Sequence, residues 1–248
     1  MVWLLPGEAL YCGPPLELDP HSGAASCLAI GIDEPLQVTV GGTTARLRSA
    51  FIPPRLTCQV TTTGRIAAFF LEPGSAPERS CSAMMRPVGA IRSDHQRERE
   101  LAELSGALTD HDVQRWVALA TGDDGTTRDE RILAAVELLS ANPDLSAAHI
   151  AAQLHLSPSH FLRLFKRDTG TTLRRFRLWA RMLSAAAHIA DGADLTAAAT
   201  AAGFASSAHF SSAFHAMFGL SPSKLLSTPL EIRPWQHEAP EERSSGAS

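Results

Sequence analysis

The sequence has little of several features that define common protein classes. No apolar run approaches the roughly 20 residues that a membrane-spanning helix needs. The opening stretch, MVWLLPGEALYC, lacks the basic start of a signal peptide. Only 19% of the residues are charged, and the net charge is -4. Because 44% of the residues are hydrophobic, the chain has the composition of a globular protein. We therefore expect a cytoplasmic protein with no membrane partner.

Cysteine and histidine are scarce where metal or redox chemistry would need them. The four cysteines are Cys12, Cys27, Cys58 and Cys81. None of them has the paired spacing of a structural zinc site, and in a cytosolic protein they should be reduced. A metal-dependent β-domain enzyme needs clustered histidines, but only His21 and His95 occur in the first hundred residues. The sequence thus predicts no metal, no cofactor and no catalytic residue, and it favours cysteines that pack as small apolar side chains.

Up to about residue 93, short apolar runs alternate with turn residues. The runs SCLAIGI, LQVTV, TARLR, TCQVTTT and RIAAFFLE are separated by Gly, Pro and Thr. Several short strands at this spacing indicate a small sandwich or barrel. The pair Gly41-Gly42 between LQVTV and TARLR predicts a hairpin turn. We predict a β-rich sensor domain over residues 1–93.

From residue 94 the apolar spacing becomes helical. Leu101, Leu104 and Leu108 lie on one helix face, which either packs within the domain or forms a dimer seam. A second helix is predicted over 110–120, and the stretch TGDDGTTRDE has the composition of a linker. We predict a helical linker or dimerisation region over 94–128.

Residues 129–227 carry one helical pattern twice. HFLRLFKRDTG begins at His160 and HFSSAFHAMFG begins at His209, and a shorter helical segment precedes each of them. A short helix, a tight turn and a second helix with one buried stripe make a helix-turn-helix unit. The sequence predicts two such units, joined by a long helix that ends at Gly192. The same stripe pattern makes His160 and His209 packing or capping groups rather than metal ligands.

Small polar residues predict where the helices of these units begin and end. Ser146 and Ser157 are the predicted N-caps of the two helices in the first unit, and Pro158 follows as the first helical residue. Gly170 is the predicted left-handed C-cap. In the second unit, Thr196 is predicted to take the place of Ser146.

Charge distinguishes the two units. Residues 1–127 hold 15 acidic and 10 basic residues, whereas 128–227 hold 10 basic and 7 acidic ones. Within 157–181 there are seven basic residues and one acidic residue, but HFSSAFHAMFG contains no Lys, Arg, Asp or Glu. A basic cluster in a mildly acidic protein indicates a polyanionic partner. Two recognition helices on a rigid connector would reach successive major-groove faces of double-stranded DNA.

Residues 129–227 resemble the AraC/XylS-type DNA-binding domain. The matching stretches are LSPSHFLRLFKRDTGTT, AAGFASSAHFSSAFHAMFGLSPSKL and the connecting RLWARMLSAA, whose Arg181 matches the Arg usual there. The resemblance implies a bacterial-type transcription regulator with two domains: a β-rich, cupin-like N-terminal domain and an all-α C-terminal domain with two helix-turn-helix units joined by a long helix. It also implies a small-molecule effector bound to the N-terminal domain, RNA polymerase as a partner, and a homodimer.

The resemblance assigns the DNA-facing positions. In the first recognition helix they are Ser159, Leu162 and Arg163, followed by Lys166 and Arg167 at the phosphates. In the second they are Ser207, Ala208, Ser211, Ser212 and His215. Arg163 can donate two hydrogen bonds to guanine O6 and N7. Because Ser212 replaces the usual Arg and His215 the usual Lys, we expect the second unit to read less sequence.

Arg174, Arg175 and Arg177 on the connecting helix form either a solvated face or contacts to the DNA backbone, and we favour the latter slightly. The Pro-, Glu- and Ser-rich tail over 228–248 is predicted to be disordered. Three other roles stay open: a thiol- or metal-responsive regulator that uses the N-terminal cysteines, a cupin-type enzyme fused to a DNA-binding module, and an architectural DNA-binding protein.

Overall fold

The computed structural model describes residues 1–122 and 129–234, which form eleven strands and ten α-helices. The strands are β1 (Val2–Leu5), β2 (Glu8–Gly13), β3 (Ser26–Gly31), β4 (Leu36–Val40), β5 (Thr43–Leu47), β6 (Ser49–Ile52), β7 (Cys58–Thr61), β8 (Ile66–Leu71), β9 (Arg86–Val88), β10 (Ile91–Ser93) and β11 (Ile232–Pro234). One sheet has eight strands in the order β11-β1-β2-β8-β3-β6-β10-β9, and the other has the order β5-β4-β7. The predicted β-rich N-terminal fold is confirmed.

The hairpin predicted at Gly41-Gly42 joins β4 to β5. The two strands pair antiparallel, with Val40 opposite Thr43. Both glycines have positive φ, 56° and 82°, as a two-residue type I′ hairpin turn requires. The three-stranded sheet packs on the eight-stranded one through a shared apolar cluster that includes Leu36, Val38 and Val60.

The central strands of the large sheet differ on their two faces. Large side chains fill one face: Leu10, Leu28, Ile30, Phe69 and Leu71. The other face carries alanine at three strand positions, Ala9, Ala29 and Ala68, and larger residues at others, including Tyr11, Ile66 and Phe70; Ala25 directly precedes β3. Because side chains alternate along a strand, this difference arises from every second residue of β2, β3 and β8.

Helices cover the large-residue face. They are α1 (Ala76–Ala83), α2 (Glu98–Ser105) and α3 (Val113–Thr121), with a 3-10 turn over Asp110–Asp112. The ring of Trp116 meets Phe69 edge to face at 5.5 Å. Leu101 is fully buried in the same cluster, and Leu104 and Leu108 pack against it. These three leucines therefore pack within the chain, with Leu104 and Leu108 still half-exposed.

The C-terminal part is helical. Its helices are α4 (Glu130–Ala141), α5 (Ala147–Gln153), α6 (Pro158–Thr169), α7 (Leu173–Ala190), α8 (Leu195–Ala201), α9 (Ser207–Phe218) and α10 (Pro222–Leu226). The side chains of Ser146 and Ser157 each accept a backbone N–H, and Gly170 has a φ of 67°. The caps predicted for the first unit are confirmed. None of the helices that the structure describes is long and apolar enough to cross a bilayer.

The cap predicted for α8 is wrong. Asp194, not Thr196, is the N-cap, and its carboxylate accepts the backbone N–H groups of Thr196 and Ala197 at 2.8 Å each. A carboxylate satisfies two free donors at once and interacts favourably with the positive end of the helix dipole. Thr196 consequently lies inside the first turn.

The tail prediction is wrong for its first residues. Residues 232–234 form β11, which pairs parallel with β1, and the backbone N–H of Val2 donates to the carbonyl of Glu231 at 2.8 Å. The unpaired edge of β1 provides backbone groups that a further strand can satisfy. The rest of the predicted tail, 235–248, lies outside the described residues, as do residues 123–128 of the predicted linker TGDDGTTRDE.

Candidate nucleic-acid interface and adjoining cavity

Helix α6 presents the predicted DNA-facing residues of the first unit to solvent. Phe161, Leu164 and Phe165 are buried on its inner side, where Phe165 meets Phe176 of α7 at 5.4 Å. The five predicted residues are exposed: Ser159, Leu162, Arg163, Lys166 and Arg167. Leu162 is 42% exposed, unusual for a large apolar side chain. An exposed apolar group between polar ones suits the methyl group of thymine in a major groove.

The cations on α6 differ in how they are held. Arg167 pairs with Asp168 at 2.6 Å, and this carboxylate raises the pKa of the guanidinium. Within the described part of the chain, Arg163 and Lys166 form no salt bridge. Because Arg163 and Lys166 break no internal ion pair when they meet a phosphate, they are the better placed of the three for a polyanion.

Helix α9 presents the predicted residues of the second unit less openly. Phe210 and Met217 are buried on its inner side. Ala208, Ser212 and His215 are exposed, whereas Ser207 and Ser211 are half-buried. Nε2 of His215 lies 3.1 Å from a carboxylate oxygen of Asp19 in the β-rich domain. The structure thus gives one of the five predicted residues an internal polar contact that sequence reasoning did not foresee.

Asp19 belongs to the segment that connects β2 to β3, residues 14–23 or PPLELDPHSG, here called the strap. Its backbone N–H at Asp19 donates to the carbonyl of Gly219 at 2.8 Å, and that at Ser22 donates to the carbonyl of Ala216 at 3.3 Å. Lys224 of α10 pairs with Glu17 at 2.9 Å. The strap therefore holds the C-terminal end of the second recognition helix.

The connecting helix α7 also docks on the β-rich domain. Arg175 donates to the hydroxyl of Ser22 and to the carbonyl of Gly23, both at 3.1 Å. The indole N–H of Trp179 donates to the carbonyl of Gly7 at 2.9 Å. Phe70 of β8 lies 6.0 Å from Trp179, measured between ring centres.

Two other arginines of α7, Arg177 and Arg181, contact the first unit. Arg177 donates to the carbonyl of Leu145, and Arg181 donates to Asp144 at 2.7 Å. The backbone contacts to DNA that we favoured for Arg175 and Arg177 do not fit this structure, since both guanidinium groups are bonded inside the chain. Of the three arginines in question, Arg174 is exposed.

A cavity of about 180 Å³ lies where the alanine face of the large sheet meets the strap and helices α7, α9 and α10. Its floor is formed by Ala9, Ala25, Ala29 and Ala68. Leu16 and Leu18 of the strap, Met182 and Leu183 of α7, Phe214 and Phe218 of α9, and Leu225 and Leu226 of α10 complete much of the wall. The cavity is lined by both domains, and the N-terminal domain, where the effector was predicted to bind, forms its floor.

The titratable groups in the cavity wall are uncharged at neutral pH. Burial raises the pKa of Tyr11 to about 12 and that of the Cys58 thiol to about 11. Burial also raises the pKa of the Cys27 thiol and lowers that of His21. The thiolate is the reactive form of cysteine, so these thiols are poor candidates for a redox sensor. Among the described residues, no three His, Cys, Asp or Glu side chains come together as a metal site.

Comparisons with known proteins support both the helical C-terminal domain and the β-rich N-terminal domain. A helix-turn-helix domain model matches residues 150–228, about a third of the chain. No curated protein sequence matches this chain. An apo variant of ToxT from Vibrio cholerae has a TM-score of 0.59 at 10% identity, over 89% of this chain and 97% of its own. ToxT from V. cholerae O395 has a TM-score of 0.55 at 13% identity, over 90% and 98%.

A third structure, wild-type ToxT from V. cholerae with an unsaturated fatty acid bound, has a TM-score of 0.55 at 10% identity, over 90% of this chain and 96% of its own. At such identities the likeness concerns the fold. Residues 150–228 thus match a helix-turn-helix domain, which follows a β-rich domain, and the chain has the two-domain fold of ToxT.

Proposed function

We propose that the chain is a one-component transcription regulator that binds double-stranded DNA sequence-specifically and responds to a small molecule in the cavity. The observation that carries the DNA-binding part is the exposed stripe of α6. Ser159, Leu162 and Arg163 offer a hydroxyl, an apolar surface and a forked donor side by side, and Lys166 follows one turn later. These are the groups that distinguish base pairs in a major groove and neutralise the adjacent phosphates.

The strap supports control by a small molecule. Its side chains alternate: Leu16 and Leu18 line the cavity, while Glu17 and Asp19 contact Lys224 and His215. A molecule that fills the cavity would therefore contact the strap, which binds the C-terminal end of the second recognition helix. A ligand shifts a conformational equilibrium only if it binds the two states differently. Because both domains form the wall of the cavity, a ligand would bind more tightly when the two domains are docked than when they are apart. That ToxT has been solved with a fatty acid bound also favours a ligand-controlled regulator.

The test begins with binding-site selection on random duplexes, which yields the preferred site of the full chain. Arg163→Ala should then lose the preference at one base position in one half-site, a discrimination of about 1–3 kcal/mol. Arg174→Ala is the matched control, because it removes an exposed arginine that lies outside the recognition helix. If selection returned an unchanged preference for Arg163→Ala, the assignment of α6 as the reading helix would fail.

We further propose a homodimer and contact with RNA polymerase, as the family resemblance implies. Equilibrium sedimentation of the full chain with and without its selected duplex measures the first. If one monomer occupied two half-sites, the homodimer proposal would be wrong. The two helix-turn-helix units of a single chain would then account for all of the sequence recognition.

A further inference from the structure

We propose that the effector is an uncharged, predominantly apolar molecule of about ten non-hydrogen atoms, which is held between the β-rich domain and the second helix-turn-helix unit, and that organic anions are excluded. This inference rests on the proposed function, since it names the chemical class of the ligand for the same cavity. It differs from the ligand type of the fatty-acid-bound ToxT structure, because a fatty acid carries a carboxylate.

The size of the ligand follows from the alanine face. Large side chains fill the opposite face of β2, β3 and β8, whereas Ala29 and Ala68 leave space on the cavity face alongside the larger Tyr11, Ile66 and Phe70. A dry cavity of about 150 Å³ lined by apolar side chains accommodates benzene. The cavity here measures about 180 Å³, which suits a somewhat larger molecule.

The absence of charge in the wall follows from the lining. No Lys, Arg, Asp or Glu occurs among the described residues that line the cavity. A buried carboxylate without a cationic partner is strongly disfavoured. The polar side chains in the wall already have partners: the Tyr11 hydroxyl donates to the Pro14 carbonyl at 2.6 Å, and Nδ1 of His21 lies 2.9 Å from the Asp19 carbonyl. Few polar atoms remain to receive a ligand.

Two cations on the elements that form the wall are also engaged. Arg175 of α7 is bonded to Ser22 and Gly23 of the strap. Lys224 of α10 is paired with Glu17. Both would have to give up these bonds and turn inward to meet an anion. Aromatic side chains contribute instead: Phe70, Trp179, Phe214 and Phe218 provide faces and edges for an apolar ligand.

The test compares 1-decanol with decanoate, which share a chain length and differ in charge. Isothermal calorimetry and thermal unfolding of the full chain at pH 8, where decanoate is ionised, should show that 1-decanol binds and raises Tm. Decanoate should bind at least about 100-fold more weakly, because its carboxylate would lie unpaired in the cavity. Decanoate binding within threefold of 1-decanol, or no binding of 1-decanol, would overturn the proposal.

Two variants place the ligand. Ala68→Phe fills the floor of the cavity and should abolish 1-decanol binding, whereas Ala118→Phe, on an exposed position of α3, should not. Leu226→Lys puts an ammonium on a half-buried wall position, where its long stem can stay in the apolar surroundings. This variant should gain at least about tenfold in decanoate affinity.

Ser223→Lys, exposed on the same helix and outside the wall, is the charge-matched control and should gain nothing. An equal gain in both lysine variants, or unchanged 1-decanol binding in Ala68→Phe, would contradict the cavity assignment. Because these measurements contain no DNA, their failure leaves the Arg163 test untouched. Failure of that test would in turn leave the ligand preference standing.

Discussion

The two helix-turn-helix units share a layout but differ in what their cores contain. The core of the first is built from α4, α5, α6 and the start of α7 alone, with Phe161, Phe165 and Phe176 at its centre. The core of the second continues into the β-rich domain, where Ala9 and Ala25 belong to the same buried cluster as Phe210. The first unit also carries the cations. One unit is thus suited to anchor the protein on DNA and the other to transmit the state of the cavity.

Equivalent glycines give the sharpest test of this difference. Gly170 and Gly219 end the two recognition helices with positive φ, 67° and 75°. A Cβ at 170 would meet nothing closer than 3.8 Å, whereas a Cβ at 219 would lie 2.4 Å from the Asp19 carbonyl oxygen. We expect Gly170→Ala to cost about 1 kcal/mol of unfolding free energy from backbone strain. We expect Gly219→Ala to cost about 3 kcal/mol, since a backbone clash is added. Denaturant titrations measure both, and equal losses would argue against the strap contact.

Salt dependence of DNA binding tests the anchor. Lys166→Ala with Arg167→Ala should lower the slope of log K against log salt by about 0.9 for Lys166, roughly eightfold in affinity at 0.1 M salt, and by less than a further 0.9 for Arg167, because Asp168 already pairs with it. Ser211→Ala with Ser212→Ala should leave the slope nearly unchanged, since hydroxyls displace no condensed cation. The same flattening in both double variants would remove the proposed division between the units.

Two neighbouring arginines separate docking from DNA binding. Arg175→Ala removes hydrogen bonds to the strap and should cost about 1–2 kcal/mol of stability with the salt slope unchanged. Arg174→Ala removes an exposed cation and should leave the stability within about 0.5 kcal/mol. Thermal unfolding and DNA titration on the same two preparations distinguish them. A larger stability loss in Arg174→Ala would show that α7 docks differently.

Restoring positive charge to the second unit should reduce the difference between the two units in their contribution to DNA affinity. Ser212→Arg adds one cation on the exposed face of α9, and one new phosphate contact corresponds to about eightfold tighter binding at 0.1 M salt. Ser223→Arg, which lies on α10, provides the control for a general gain in positive charge. Fluorescence anisotropy with the selected duplex measures both affinities. No advantage of Ser212→Arg over its control would mean that α9 does not face DNA.

The helices could be predicted from the sequence because their signals are local. Ser157, Pro158 and Gly170 each act on backbone groups within a few residues, and the buried phenylalanines repeat at the helical period. The exposed stripe of α6 follows from the same period. Thr196 shows the limit of arguing by repeat: Asp194, two residues earlier, offers a better acceptor, and the local chemistry decides.

The cavity and the strap could not be predicted in the same way. Ala29 and Ala68 become neighbours only when β3 pairs with β8, and their distance from α7 and α9 depends on how two domains dock. The sequence of β8, IAAFFL, gives no alternating signal, since Ala67 lies on the face of the large residues and Phe70 on the face of the cavity. The contacts of Asp19 to Gly219 and His215 join positions about 200 apart, which no pattern within a window can indicate.

The pairing of β1 with β11 has a consequence for how the chain is made. Val2 lies opposite Ile232, so the edge of the large sheet is completed 230 positions after it begins. At about 5–20 residues per second, a ribosome needs roughly 10–50 s to synthesise that interval. The alanine face of the nascent sheet stays uncovered for much of this time, because α7, α9 and α10 emerge late. The cavity therefore closes as one of the last events of biogenesis, and a truncation before residue 232 would leave β1 paired with β2 alone and its outer edge open.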